Sequence, residues 1–318
     1  MSADLRGLEA GLDFDKAVFA ATVQIPKGMV STYGTIAKAL GDGAAARAVG
    51  MCLASGQTRP FVVPCHRVVY ADGRVGWYAG KGQGAGRKIE LLREEGVPIE
   101  EGKVDMRRAL FTDFLVRPLL AEMRTEQEEL RRKVVATGSG RGLKRLAAVD
   151  VAYTEEEGHA AMVVVDLESM KVVEEKLYRA RAGFPYIPSY LSYRELPFLL
   201  PLVEDLQDTV VAVDGQGLAH PRRFGIACQL GVRADIPTMG AAKSVLCGQV
   251  NEHGTLHDGE ELLGRRVAGT GRSPYYISVG HRLALDDACA IVSRLLLAGV
   301  DPMRRAHQLA SAAKAEQR

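Results

Sequence analysis

Five successive segments between residues 143 and 215 of this 318-residue chain constrain its fold most strongly. Residues 143–153, 159–168 and 171–180 are rich in Val, Leu and Ala and are separated by polar turns, which indicates three consecutive strands. A helix over residues 192–206 and a continuously apolar strand over residues 209–215 follow. This order predicts a mixed sheet with flanking helices, because such strands bury their faces only when helices cover the sheet.

The first third of the chain shows a different pattern. Residues 31–41 and 42–55 predict two short helices joined by a glycine-containing turn, which is typical of a helix-turn-helix unit. Residues 60–70 predict an extended segment, and residues 86–96 predict a helix that ends at a glycine. This part of the chain therefore favours short helices around little sheet.

The boundary between the two patterns follows from one charged segment. Residues 94–110 are charged and interrupted by glycine and proline, so they close the first unit. The residues after them have helical spacing, with a kink expected at Pro118. The sequence thus predicts a two-domain α/β protein with domains 1–105 and 122–318, joined by a linker helix over 106–121.

Composition narrows the class of protein. The chain is 47% hydrophobic, enough for two cores, and its formal net charge of +2 neither favours nor excludes nucleic-acid binding. Five cysteines without CxxC spacing favour free thiols in a reducing compartment. Because no apolar run approaches the length of a membrane span, we expect a cytoplasmic protein with no membrane partner.

Cys65 lies in the run FVVPCHRVVY, where a thiol, an imidazole and a guanidinium stand side by side. Packing is the commoner role of a lone cysteine in an apolar strand, and no second ligand pair supports zinc binding. A nucleophile needs the thiolate, which an ordinary thiol of pKa roughly 8.5 supplies poorly. His66 is available to take the proton and Glu95 to orient that histidine, so packing and nucleophilic catalysis both stay open.

A family resemblance bears on this choice. Residues 13–100 resemble the catalytic domain of the O6-alkylguanine-DNA alkyltransferases through the segments IPKGMVSTYGTIAKALG, ARAVG, VPCHRVV and LLREEG, in order and at approximately the same spacing. The resemblance implies that Cys65 takes an alkyl group from O6 of guanine without turnover. It also implies that His66 deprotonates the thiol through a water and that Glu95 holds the histidine.

The same resemblance implies how the lesion is reached. Tyr33 matches the tyrosine that helps to rotate the nucleotide out of the duplex, and Arg47 matches the arginine that fills the vacated place in the stack. Tyr78 matches the tyrosine that donates to the guanine. A base must leave the duplex before a thiol reaches it, and unstacking costs on the order of a few kcal/mol.

The chain departs from the alkyltransferase pattern at two places. The usual Asn-Pro before the cysteine is replaced by ASGQTRPF, with Gln57 as the candidate substitute, so the positioning of the thiol can differ. Trp77 stands where a small or polar residue is usual, which predicts an altered range of lesions. The alternative is therefore an alkyl-lesion sensor that binds without transfer, although such sensors replace the cysteine and this chain keeps it.

Three carboxylates mark a second candidate site. Asp150 lies within an apolar strand, Glu195 within the helix that follows, and Asp214 at the end of the next strand. Buried carboxylates are costly unless they are paired or bind metal, and three from separate elements favour a shared site for hard cations. Two such ions about 4 Å apart are suited to phosphodiester cleavage.

A second resemblance covers this half of the chain. Residues 122–310 resemble endonuclease V in order through VDVAY, FPYIPSYLSYRELP, VDGQGLAHPRRFGIACQLGV, PTMGAAKSVLCG and ISVGHRLALDDA. That implies a ribonuclease-H-like fold that nicks DNA at the second phosphodiester bond 3′ to hypoxanthine, with Mg²⁺ as cofactor and Mn²⁺ able to substitute. It further implies that Asp150, Glu195 and Asp214 bind the metal and that His281 completes the site.

Further residues match the DNA-binding positions of endonuclease V. Tyr186, in PYIP, matches a wedge that enters beside the lesion, between prolines that stiffen the tip. His220 and Lys243 match positions near the DNA phosphate, and Gly217 lies in the loop beside the base pocket. A general nuclease without lesion specificity is the weaker alternative for this half.

Together the two resemblances predict a bifunctional DNA repair protein whose partner is double-stranded DNA containing O6-alkylguanine or inosine. Both activities act on damage at the exocyclic position of a purine, by alkylation in one case and deamination in the other.

Overall fold

The computed structural model describes residues 13–55, 62–77, 84–154, 157–269 and 273–316. They form two compact units. The first comprises the described residues up to Thr125 together with Phe184–Pro188, and the second comprises the described remainder from Glu126 onward. No helix in these ranges combines the length and apolar composition that a bilayer crossing requires.

The first unit consists of short helices around very little sheet. Its helices are α1 (Phe14–Thr22), α2 (Tyr33–Ala39), α3 (Ala46–Ala54), α4 (Gly86–Glu94), α5 (Met106–Ala109) and α6 (Leu119–Arg131), of which the last extends into the second unit. Its strands have two residues each: β1 (Ser31–Thr32), β2 (Val68–Val69), β3 (Ile99–Glu100) and β4 (Lys103–Val104). One part of its core comprises Val30, Val69, Leu92, Val97 and Val104, so the core joins segments that are far apart in sequence.

Helices α2 and α3 form the predicted pair of short helices. The Thr32 side chain caps α2 by accepting a hydrogen bond from the Thr35 amide at 3.0 Å. A turn containing Gly41 separates the helices, and Gly41 has φ +106°, which favours glycine. A Cβ at Gly41 would overlap the backbone of Ala121, so glycine is also required by space.

The segment around Cys65 corrects the expectation of a continuous strand. Cys65–Arg67 form a 3₁₀ turn after Pro64, and only Val68–Val69 are extended, paired in parallel with β1. Proline has no backbone N–H to donate to a ladder, so pairing cannot extend through Pro64. Cys65 therefore sits on a turn that leads into a strand.

The linker helix predicted over residues 106–121 is also corrected, because residues 110–118 are not helical. Phe111 N donates to Val30 O at 2.7 Å, so the backbone there pairs with another segment instead of with itself. Pro118 restricts the residue before it and lies next to the start of α6, where proline is tolerated, instead of kinking a longer helix.

The second unit is built on a nine-stranded mixed sheet of order β10-β11-β12-β13-β9-β8-β5-β6-β7. The strands are β5 (Arg145–Tyr153), β6 (Glu157–Asp166), β7 (Lys171–Arg181), β8 (Thr209–Val213), β9 (Thr238–Ala242), β10 (Gln249–Val250), β11 (Thr255–Asp258), β12 (Glu261–Val267) and β13 (Tyr275–His281). The helices are α7 (Leu191–Val203), α8 (Ile226–Ala234), α9 (Leu285–Leu297) and α10 (Pro302–Ala315). The predicted two-domain α/β class and the order of three strands, a helix and a strand are confirmed.

Strand pairing at the centre of this sheet positions the acidic residues. β5 pairs antiparallel with β6 and parallel with β8, with Val149 opposite Val213. Asp214 directly follows β8, and its amide donates to Val149 O at 3.1 Å. Asp150 and Asp214 are therefore brought to the same level on neighbouring parallel strands.

We predict that Gly41→Ala destabilises the first unit by about 2 kcal/mol, because the new Cβ meets the Ala121 backbone and the residue must keep a positive φ. Urea unfolding followed by the fluorescence of Trp77, the single tryptophan of the chain, measures this unit specifically. Gly86→Ala is the matched control, since nothing lies within 4 Å of a Cβ there. Equal midpoints for the two variants would contradict the prediction.

Candidate active sites

Cys65 lies in a small cavity of the first unit. Cys65 is buried, with 8% of the residue exposed, on the turn before β2. The cavity is lined by Cys65 together with Tyr33, Gly50, Leu53, Ala54, Trp77 and Lys88. Helices α2, α3 and α4 thus each contribute residues around the thiol.

Glu95 holds the histidine beside the thiol. His66 Nε2 lies 3.0 Å from Glu95 Oε1, and Arg67 reaches both carboxylate oxygens of Glu95, at 2.8 and 2.7 Å. Burial alone raises the pKa of Glu95, but the hydrogen bonds from Arg67 and His66 outweigh it and bring this pKa to about 2. Glu95 is therefore ionised at neutral pH and can orient His66 and stabilise its protonated form.

Lys88 places a buried amine near the thiol. It is 1% exposed, and its Nζ donates to Val68 O at 2.5 Å. Burial lowers the pKa of Lys88 to about 8, while the nearby Cys65 opposes that shift. A cation close to a cysteine favours the ionised sulfur that a nucleophile needs.

Tyr33 faces the same cavity. Burial, followed by the charges of Tyr70 and Cys65, raises the pKa of Tyr33 to about 12, so it keeps its proton at neutral pH. A Cβ at Gly50 would lie 3.6 Å from the Tyr33 ring, so helix α3 packs closely on it. Arg47 is exposed on α3, whereas Ala48 and Val49 are buried.

The second unit brings two of the predicted carboxylates together with a histidine. Ligand atoms of Asp150, Asp214 and His307 all lie within 4.8 Å of one another. His307 Nδ1 is 2.7 Å from Asp150 Oδ2, and Lys243 Nζ donates to Asp214 Oδ2 at 2.5 Å.

Glu195 is electrostatically coupled to this pair. Burial first, and then the charges of Asp150 and Asp214, hold the pKa of Glu195 well above its ordinary value. Burial and Asp214 likewise raise the pKa of Asp150, although the hydrogen bond with His307 opposes the shift. Carboxyl groups that oppose one another's ionisation attract a divalent cation, and their oxygens are the ligands that hard cations prefer. The carboxyl groups of this site are therefore suitable ligands for a divalent metal ion.

Comparison with known proteins agrees with this division into two sites. Residues 128–308 match the Endonuclease V family, and residues 13–97 match the 6-O-methylguanine DNA methyltransferase DNA-binding domain. A bifunctional methyltransferase/endonuclease of Picrophilus torridus is 34% identical over 284 residues, covering 89% of this chain and 91% of its own. This chain belongs to the bifunctional methyltransferase/endonuclease family.

Two further relatives support the assignment to this bifunctional family. A bifunctional methyltransferase/endonuclease of Thermoplasma volcanium is 33% identical, over 85% of this chain and 81% of its own. The crystal structure of endonuclease V from Streptomyces avermitilis is similar with a TM-score of 0.57 and 36% identity, covering 62% of this chain and 93% of that one. The family is thus supported over both halves of the chain, and the endonuclease V fold over the second.

The structure places His281 away from the acidic residues, which corrects its predicted role at the metal site. His281 is the last residue of β13 and pairs with Thr238, the first residue of β9. β9 runs parallel to β8, and Asp214 follows the C-terminal end of β8. Its Nδ1 accepts a hydrogen bond from the Val135 amide at 3.2 Å, and its Nε2 is 3.8 Å from Asp235. The pairing thus places His281 level with Val211 in the middle of β8, whereas Asp214 follows the end of that strand.

His307 and Lys88 were missed by the sequence reasoning. His307 is a lone histidine on α10, the helix that packs against β5 and β6, and no motif surrounds it. Lys88 had a weak signal, because it lies one turn before the buried Leu92 and so on the inner face of α4.

The residues predicted to contact DNA in the second half of the chain differ in how exposed they are. Tyr186 is 63% exposed, and Gly217 is so crowded that a Cβ would overlap the Val279 carbonyl. Burial, followed by Arg222 and Arg223, lowers the pKa of His220 to about 4, so its ring is neutral at pH 7. Tyr78 and Gln57 lie outside the described residues.

We predict that Glu95→Gln lowers the stability of the first unit on the order of 2 kcal/mol at pH 7. Because the folded pKa of Glu95, about 2, lies below its ordinary value of 4.5, the ionised form stabilises the fold above that ordinary value. This contribution is lost as the pH falls from 4.5 through about 2.

Urea midpoints between pH 7 and pH 2, read from Trp77 fluorescence, measure the effect. The variant should lose stability less steeply than the parent over the acid range. Glu94→Gln, an exposed carboxylate one residue away, is the control and should follow the parent. A Glu95→Gln profile parallel to that of the parent would exclude the proposed ionic role.

Proposed function

We propose that this bifunctional methyltransferase/endonuclease transfers alkyl groups from O6-alkylguanine in DNA to Cys65. The observation that supports it most is the cluster of Cys65, His66 and Glu95 beside a cavity, with Glu95 ionised. The thiol proton passes through a water to His66, whose positive charge Glu95 then balances. Cys65 Sγ bonds to the alkyl carbon, the carbon–O6 bond breaks, and its electron pair leaves with the guanine, which takes up a proton. The thioether does not revert, so each protein acts once.

The exposed side of the first unit supplies the proposed DNA contacts. Arg47 is exposed on α3, whose alanine-rich sequence permits a close approach to a groove. We infer that Arg47 fills the place of the extruded nucleotide and that Tyr33 helps to turn it out, with Tyr78 donating to the guanine. Trp77 lines the same cavity and contributes to the range of alkyl groups accepted.

We propose that the second unit nicks DNA at the second phosphodiester bond 3′ to inosine. Asp150, Glu195 and Asp214 would hold Mg²⁺, which Mn²⁺ can replace, and the bound metal would activate water and stabilise the leaving oxygen. The supporting observation is that ligand atoms of Asp150, Asp214 and His307 lie within 4.8 Å of one another, with the charges of Asp150 and Asp214 raising the pKa of Glu195. His307 orients Asp150 through its 2.7 Å contact, and a cation at Asp214 competes with Lys243 for that carboxylate.

We assign lesion recognition to Tyr186, Gly217, His220 and Lys243. Tyr186 is exposed between Pro185 and Ile187 and would enter beside the lesion. Gly217, which has no room for a side chain, would line the base pocket, and His220 and Lys243 would contact phosphate. All five cysteines are free thiols, which is consistent with action in the cytoplasm.

For the first unit, Cys65→Ser should abolish methyl transfer from labelled DNA containing O6-methylguanine, by more than about a hundredfold, because serine is a far weaker nucleophile near neutral pH. The same variant should nick inosine-containing DNA at the parental rate, and a parental urea midpoint by Trp77 fluorescence should show that its first unit is folded. Cys52→Ser is a buried-cysteine control that should retain transfer. Tight binding of the lesion by the parent without transfer would instead support an alkyl-lesion sensor.

For the second unit, Asp214→Asn should reduce magnesium-dependent nicking of inosine-containing duplex by at least about a thousandfold, because it removes a carboxylate that faces the metal. Transfer to Cys65 should continue in this variant. Calorimetric titration with Mg²⁺ should show weaker binding, and Asp235→Asn is an exposed aspartate control. Equal cleavage of inosine-containing and undamaged duplexes by the parent would contradict lesion specificity.

A further inference from the structure

The chain changes direction sharply between the exposed tip that carries Tyr186 and helix α7. Ser189, the residue at this turn, has φ +67°. A residue other than glycine is strained in this conformation, which persists only where its surroundings enforce it. Something in the second unit must therefore hold Ser189.

Two side chains hold the Ser189 carbonyl. Gln127 Nε2 and Arg222 Nη1 each donate to Ser189 O at 3.1 Å. Arg222 Nη1 also donates to Gln127 Oε1 at 2.7 Å, which closes a three-membered cluster. Gln127 is 1% exposed, so these hydrogen bonds are largely shielded from water and their loss would leave buried polar groups unpaired.

The next residue fixes Arg222 in turn. The Arg222 guanidinium lies 4.4 Å from the centre of the Tyr190 ring, and Tyr190 is fully buried. A planar guanidinium over an aromatic face combines a cation–π interaction with stacking, which restricts its orientation. Arg222 thus contacts two successive residues at the end of the tip, the Ser189 backbone and the Tyr190 ring.

We propose that Arg222, supported by Gln127, is a positioning residue that keeps the Tyr186 segment rigid at its C-terminal end. This inference rests on the proposed function, in which Tyr186 enters the duplex beside a deaminated base. Separating stacked bases is energetically unfavourable. A wedge residue separates the bases only if its own backbone deforms less easily than the base stack. The hydrogen bonds of Gln127 and Arg222 to Ser189 hold the backbone at the end of the Tyr186 segment.

The expected effect on the nicking rate depends on how strongly the inosine is stacked in the substrate. An inosine in a fully paired duplex has to be forced out, whereas an inosine in a single strand is already accessible. Loss of the Ser189 cluster should therefore slow nicking of the duplex much more than nicking of the single strand. A change in metal binding or in Glu195, which α7 carries, would slow both substrates alike.

The experiment compares Arg222→Ala with the parent on the same inosine sequence, as duplex and as single strand, under single-turnover conditions in magnesium. We expect the duplex rate to fall at least about tenfold more than the single-strand rate. Arg223→Ala is the matched control, because its guanidinium bonds Asp258, Glu261 and the His220 carbonyl. Loss of the His220 contact should affect both substrates alike, so the ratio for Arg223→Ala should equal that of the parent. Arg222→Lys, which keeps the charge but loses the planar stack, should fall between them.

A second readout is independent of cleavage. In an Asp214→Asn background, 2-aminopurine placed beside the inosine should brighten when the duplex binds, because its stacking is disturbed. Adding Arg222→Ala should remove most of that increase, while an unchanged circular dichroism spectrum and melting temperature show that the second unit is folded.

Equal loss on duplex and single strand, or an unchanged 2-aminopurine signal, would overturn the positioning role. If Arg222→Ala does not fold, the same comparison on Gln127→Ala and Arg222→Lys decides the question. A parent protein that fails to nick inosine in either form would instead refute the proposed endonuclease activity, which is a separate result.

Discussion

The parallel pairing of β5 with β8 is the constraint on which the endonuclease unit depends. Parallel strands end at the same edge of a sheet, so Asp214, which follows β8, lies at the level of Asp150 in β5. β9 is also parallel to β8, and Lys243 follows it to reach the same carboxylate. One edge of the sheet thereby collects residues that are almost a hundred positions apart in the chain.

Placing the carboxyl groups of Asp150, Glu195 and Asp214 close together destabilises the fold when no cation is bound. Burial, followed by the charge of Asp214, raises the pKa of Asp150, and burial, followed by the charges of Asp150 and Asp214, raises the pKa of Glu195. Structures retain such arrangements where a function needs them, because the strain is relieved when a cation binds. The acidic site therefore has the electrostatic character expected of the proposed metal site.

In the methyltransferase unit the pKa of a half-buried carboxyl group is shifted in the opposite direction. Glu95 is stabilised as an anion by Arg67 and His66, so its pKa is strongly lowered. Arg67 also donates to Ile25 O at 2.7 Å, which fixes the pair to the segment before β1. The same ion pair that stabilises this small unit thus also orients the histidine next to Cys65.

The sequence by itself determined which residues were available and in what order the elements came. Apolar periodicity identified β5, β6, β7, α7 and β8, and the acidic residues stood out because carboxylates are rare within apolar strands. Helix stop signals at Gly41 and Gly96 located the short helices of the first unit. These are local properties, so they can be read without knowing what lies nearby in space.

Only the tertiary structure decided which distant residues meet. It replaced His281 with His307 beside Asp150, because strand direction and the packing of α10 on β5 are long-range facts. It placed Lys88 beside Cys65, turned the expected strand at Cys65 into a 3₁₀ turn, and ended the expected linker helix where Phe111 pairs with Val30. In each case a contact between segments far apart in sequence prevailed over local preference.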